Sequence, residues 1–132
     1  MKFKIDTKEK FTVVTPIEPY FSDIVAAELE STCNYILEKE VKNTILNLSN
    51  ITTIDEVHCD AITQWQQRFY EANASFVICE MQPKIVAVFD SLELTDVLNI
   101  TPTESEAWDI VQMEEIEREM LNGDDFEFKK ND

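Results

Sequence analysis

Thr44-Ile45-Leu46-Asn47-Leu48-Ser49-Asn50-Ile51-Thr52-Thr53-Ile54-Asp55-Glu56-Val57-His58 is the stretch on which the reading of this chain turns. Its first five residues form an aliphatic, β-favouring run of strand length, and residues 49–55 are polar enough to be a loop. After Asp55 the period changes: His58, Ile62, Trp65 and Phe69 recur at the three-to-four spacing of one helix face. A strand, a short loop and an amphipathic helix in that order predict an α/β unit, in which the helix crosses back over the sheet.

The same alternation extends outward in both directions. Towards the N-terminus, strands are expected near residues 3–5 and 11–14, followed by a break at Pro16 and Pro19. Ser22 or Asp23 caps a helix that runs to about residue 40, with Val25, Leu29, Cys33 and Ile36/Leu37 on its buried stripe. Towards the C-terminus, Ser75-Phe76-Val77-Ile78-Cys79 is the clearest strand, Pro83 suits the first turn of a short helix, and a last strand is expected near residues 97–100. Thr103 and Glu106 have the spacing of a capping box and open a final helix through Ala107, Ile110, Met113, Ile116 and Met120. The order β-β-α-β-α-β-α-β-α predicts an α/β fold: one small mixed β-sheet with helices packed on it and an extended C-terminal helix. Residues 1–121 are assigned to that domain and residues 122–132 to an acidic flexible tail.

Composition narrows the function. Of 132 residues 44% are hydrophobic, about 58 side chains, which suffices for one core and not for two. A single glycine, Gly123, leaves no glycine-rich loop to cradle a nucleotide phosphate. With 11 Lys and Arg against 27 Asp and Glu the net charge is −16, which repels nucleic acid and anionic lipid. Residues 101–132 hold 11 of the acids and 3 of the bases, so half the net charge sits in the last quarter. The longest apolar run, residues 85–89, is far below the ~20 residues of a membrane span. Cys33, Cys59 and Cys79 are odd in number and widely spaced, as expected of buried reduced thiols in a cytoplasmic protein.

The stretch Ile45-Leu46-Asn47-Leu48-Ser49-Asn50-Ile51-Thr52-Thr53-Ile54-Asp55-Glu56-Val57-His58 resembles the signature of the STAS domain, which runs roughly L-D-L-S-x-V-x-x-I-D-S-S-G. That family includes anti-sigma factor antagonists and the cytosolic ends of sulfate transporters. Met81-Gln82-Pro83-Lys84-Ile85 is similar to the family's S-P-x-V helix start, and the likeness covers about residues 2–115. Three positions depart from the pattern. Where the family usually carries a serine that a partner kinase phosphorylates, Glu56 follows Asp55 and offers no hydroxyl. Asn47 replaces a strand aspartate and His58 replaces a loop-to-helix glycine.

The residues themselves support a second account of this site. A helix N-terminus carries about half a positive charge, and an exposed anion there is stabilised by roughly 0.3–1 kcal/mol. Asp55 and Glu56 occupy that place, with Glu56 a permanent −1 where a phosphoserine would bring about −2 reversibly. The plainer alternative is that Asp55 caps the helix and Glu56 is an ordinary first-turn acid. Residues 55–60 gather acids, His58 and Cys59, but the chain has no second histidine and no spaced cysteine pair, so no metal site is expected. His58 and Cys59 are neighbours on a helix and diverge by about 100°, so no catalytic pair is expected either. Ser49, Thr52 and Thr53 are the remaining loop hydroxyls. Trp65, Phe69 and Trp108 are expected in the core, and the apolar edge Ile116, Met120 and Leu121 is expected either to self-associate or to pack on the same domain.

The resemblance therefore implies a non-enzymatic protein-binding regulatory module without cofactor or metal. It implies contact through Thr53, Asp55, Glu56, Val57 and His58, with neighbouring Met81 and Gln82. The partner implied is an anti-sigma factor of the histidine-kinase-like ATPase fold. The alternative is a structural STAS subunit of a transporter or stress-signalling assembly.

Overall fold

In the computed structural model, the backbone is described for residues 3–131 and the side chains for residues 3–121. The elements run β1 (Phe3–Thr7), β2 (Thr12–Pro16), β3 (Tyr20–Phe21), α1 (Asp23–Leu37), β4 (Thr44–Asn47), β5 (Thr53–Ile54), α2 (Glu56–Glu71), β6 (Phe76–Cys79), α3 (Pro83–Ser91), β7 (Ile100–Thr101) and α4 (Glu104–Asn131). The side chains of the expected tail, residues 122–132, lie outside the described residues.

A five-stranded sheet has the order β1-β2-β4-β6-β7. β1 pairs antiparallel with β2, while the β2–β4, β4–β6 and β6–β7 pairs are parallel, which makes the sheet mixed as the element order predicts. The central strands bury both faces, so β6 reads as an unbroken apolar run and β2 and β4 each hold two adjacent aliphatic residues at their centre with no polar alternation. Val14, Leu46 and Ile78 point to one side, into a core with Val25, Leu29, Cys33 and Ile36 of α1, Ile62, Trp65 and Phe69 of α2, and Ile85 and Phe89 of α3. Val13, Ile45, Val77 and Cys79 point to the other side, where Phe11, Ala107 and Val111 cover them. Three helices thus pack on one face and α4 on the other.

Helix ends follow local chemistry. Ser22 is the N-cap of α1, its side chain accepting a hydrogen bond from the Val25 N–H at 3.3 Å. Pro83 sits in the first turn of α3, where its missing N–H costs nothing. Thr103 Oγ accepts from the Glu106 N–H at 3.1 Å, the forward half of the expected capping box. Asn73 closes α2 with a φ of 61°, a left-handed position that asparagine tolerates in a chain almost without glycine.

Four expectations change. α1 stops at Leu37, about three residues early. The break and loop on either side of α1 are bridged by a two-stranded parallel sheet, β3–β5, too short to leave a periodic signal. The last strand is β7 at Ile100–Thr101; Val97 is 57% exposed, and of residues 95–99 only Leu98 is buried in the core. Trp108 is 37% exposed: it stacks at 5.1 Å on Phe11 at the rim of the sheet and is not enclosed.

Candidate functional site

Two strand-to-helix units stand side by side at one end of the fold. Tyr20 and Phe21 pair with Thr53 and Ile54, so α1 and α2 begin next to each other. Two helix N-termini with their unpaired N–H groups are held together there, a setting that favours negative charge. Asp23 stands in the first turn of α1 and Glu56 in the first turn of α2. Asp55 is the N-cap residue of α2, but its side chain makes no cap hydrogen bond. It accepts instead from the Tyr20 hydroxyl at 2.8 Å, tying the two units across the mini-sheet. That bond to a carboxylate favours the neutral phenol and raises the Tyr20 pKa above its ordinary 10.0.

Thr53, Asp55, Glu56 and Val57 are all exposed, Val57 by 66%. His58, grouped with them on sequence grounds, is buried, 6% exposed, and its ring lies 5.5 Å from Phe21. The Asp23 carboxylate approaches His58 Nε2 to 3.0 Å, yet Nε2 has no aligned hydrogen-bond partner. The two side chains are thus in close contact without hydrogen-bond geometry. His58 props the two helix starts from behind and does not present its ring to solvent. The helical period had already placed it on the apolar face.

Met81 and Gln82 are half-buried at the entrance to α3, and Gln82 Nε2 donates to the Ser49 carbonyl at 3.2 Å, which brings the α3 start against the loop before α2. Asn47, at the end of β4, accepts from the Ser49 N–H at 2.9 Å and donates to Glu104 at 3.0 Å. Glu80, at the end of β6, adopts a φ of 61° and accepts from the Glu104 N–H at 2.8 Å, so its carboxylate caps α4. These contacts gather the C-terminal ends of β4 and β6 with the starts of α3 and α4, the end of a parallel sheet where binding surfaces are commonly built.

The thiols of the chain are buried and held protonated. Cys59 is fully buried, and burial pushes its thiol up to about 11, with Glu56 and Asp55 adding to the shift. Burial likewise pushes Cys33 and Cys79 to about 12. Thiols held protonated are poor nucleophiles and poor ligands. Among the described residues no group of three or more His, Cys, Asp or Glu side chains is placed to hold a metal ion. No helix is long and apolar enough to cross a membrane, again among the described residues.

Sequence reasoning missed a polar cluster at the opposite end of the sheet. Asn43 and Ser75 precede β4 and β6, both buried, and α4 crosses above them. Glu114 accepts from Ser75 Oγ at 2.5 Å, from the Tyr70 hydroxyl at 2.8 Å and from Asn99 at 3.0 Å. Asn43 accepts from the Ser75 N–H at 2.8 Å and donates to Glu115 at 2.6 Å, while Arg118 donates to both Asn43 and Ser75. A cavity of about 300 Å³ opens beside it, lined in part by Lys10, Lys42, Asn43, Glu115 and Arg118. The available signal was a polar residue directly before each of two strands, Asn43 before β4 and Ser75 before β6, the second of which the sequence reading counts as part of the strand.

Comparison with known proteins places this geometry. The family model described as "STAS domain" matches residues 2–107. A candidate anti-sigma factor antagonist from Thermotoga maritima superposes with a TM-score of 0.73 at 20% identity, covering 83% of this chain and 94% of that one. The anti-sigma factor antagonist SpoIIAA in its unphosphorylated form superposes at 0.68 with 15% identity, covering 83% and 96%. A component of the stressosome, described as a signal integration and transduction hub, superposes at 0.65 with 11% identity, covering 83% and 96%. At these identities the likeness is one of fold. No curated protein matches the chain by sequence.

Proposed function

The chain belongs to the STAS domain family, and from that premise we propose that it is a non-enzymatic regulatory module that works by binding another protein. The binding surface is the exposed start of α2, Thr53, Asp55, Glu56 and Val57, with Met81 and Gln82 beside it and His58 as the buried prop. The module occupies residues 1–121, with 122–132 as an acidic tail. The observation that carries this reading is Glu56: an exposed, permanent anion in the first turn of α2, at the place where relatives are expected to carry a phosphorylatable serine. Its charge holds the surface in one state that such relatives would switch by adding and removing phosphate. The partner is then an anti-sigma factor of the histidine-kinase-like ATPase fold, and the setting is cytoplasmic transcription control.

Affinity capture from the source cell with wild-type and Glu56→Ser baits, read by mass spectrometry, tests this. Recovery of such an ATPase, in amounts that differ between the baits or with phosphate on the new serine, supports the reading. Equal recovery without modification removes Glu56 from the contact, and no ATPase with either bait removes the partner.

A second reading, a structural STAS subunit of a transporter or stress-signalling assembly, draws on α4. Met113, Ile116, Met120 and Leu121 are 54–69% exposed, so this edge does not pack on its own domain. Loss of assembly, with intact binding at the α2 start, on truncation after Arg118 would favour it.

A further inference from the structure

Met113, Ile116 and Met120 stand at i, i+3 and i+7 on α4, with exposures of 57%, 54% and 55%. Spacing of that kind makes one continuous stripe. α4 reaches the sheet through Ala107 and Val111, and the polar cluster through Glu114, Glu115 and Arg118. At about 100° per residue those side chains point one way and Met113, Ile116 and Met120 roughly the opposite way. The domain that carries the stripe therefore cannot cover it. The stripe lies beyond residue 107, where the family match ends.

The flanks say what can cover it. Glu106, Asp109, Glu117 and Glu119 are exposed around the stripe. Arg118, the one base between residues 101 and 121, is turned inward to Asn43, Ser75 and Glu115. Lys10 stands at one edge, lining a groove with Ile116 and Glu119, but a second copy would still set four exposed acids against four, with a net charge of −16 on each chain. Anionic lipid is repelled for the same reason. We propose that the outward face of α4 docks an amphipathic helix of another protein, one that carries Lys or Arg on both sides of an apolar stripe. Apolar contact supplies the adhesion, and charge supplies the choice of partner.

The test uses the full chain and two synthetic helical peptides of about three heptads, both with leucine at the core positions. One peptide carries lysine on the flanks and the other glutamate. A triple variant, Met113→Ser with Ile116→Ser and Met120→Ser, removes the stripe and keeps every charge. Titration calorimetry in physiological salt is expected to show the lysine peptide binding, the glutamate peptide not binding, and the variant weaker by about tenfold or more. Equal binding to wild type and variant reduces the contact to unspecific charge attraction and overturns the proposal, as does no binding. A reversible dimer in sedimentation equilibrium that the triple variant abolishes overturns it too, because the stripe is then covered by a second copy. Circular dichroism keeps the result readable, since all three positions are on the surface and the variant is expected to fold.

Discussion

Glu114→Ala is the substitution whose effect can be worked most directly from the geometry. The Glu114 carboxylate accepts from three donors, Ser75 Oγ, the Tyr70 hydroxyl and Asn99 Nδ2. Ser75 is fully buried, so its hydroxyl loses a charged acceptor without water in exchange, a loss of about 1.5–3 kcal/mol. Tyr70 is 37% exposed and can be hydrated, and with the half-buried Asn99 it adds about 0.5–1 kcal/mol. A total of about 2–4 kcal/mol is a large share of the roughly 5–15 kcal/mol of a whole domain. At about 3–4 °C per kcal/mol for this chain length, Tm falls by about 6–16 °C. Urea unfolding followed by far-UV circular dichroism measures the loss directly. Ser75→Ala supplies the internal check: it costs less in the Glu114→Ala background than in wild type, with a coupling of about 1–2 kcal/mol. A loss below about 0.5 kcal/mol together with zero coupling would refute the claim that this carboxylate locks α4 to the sheet.

Three further outcomes are expected. With thiols raised to about 11 and 12, Cys59, Cys33 and Cys79 react with Ellman's reagent at pH 8 only as the chain opens, and rapid stoichiometric labelling of native protein would contradict their burial. Tyr20 titrates above 10.0 because the Asp55 bond favours the neutral phenol; the stabilisation is present below the ordinary value and lost as pH rises through the raised one. In Asp55→Asn a spectroscopic titration returns it towards 10.0, and no movement would remove that bond. Asn43→Leu leaves the buried Ser75 N–H without its acceptor and costs about 1–3 kcal/mol, whereas Val97→Ser, at an exposed position, stays within about 0.5 kcal/mol. The reverse order in urea unfolding would mean that Val97 belongs to the sheet after all.

Much of the fold is legible in the chain because periodicity is a local property. The stripe Val25, Leu29, Cys33, Ile36 and the stripe His58, Ile62, Trp65, Phe69 state their helix faces outright, and all eight are buried. Runs such as Phe76-Val77-Ile78-Cys79 state that both faces of a parallel strand are covered. Weak elements left no such mark. Two-residue strands have no period, so β3 and β5 emerge only when Pro19 and Tyr20 meet Thr52 and Thr53 across more than thirty residues of chain.

The candidate site divides in the same way. The start of α2, with its acids and the buried side of His58, follows from sequence alone, because an N-terminal position and a helix face are set within a few residues. That Tyr20 and Asp23 share the site with Asp55 and His58 does not, since only the β3–β5 pairing brings the two helix starts together. The cluster of Asn43, Ser75, Glu114 and Arg118 spans separations of up to 75 residues, and no local pattern can announce a hydrogen bond of that reach. Composition and period thus determined an acidic α/β domain with an unusually long last helix. Tertiary packing decided which polar groups meet, which face of α4 is held inward, and therefore which apolar stripe is left facing out.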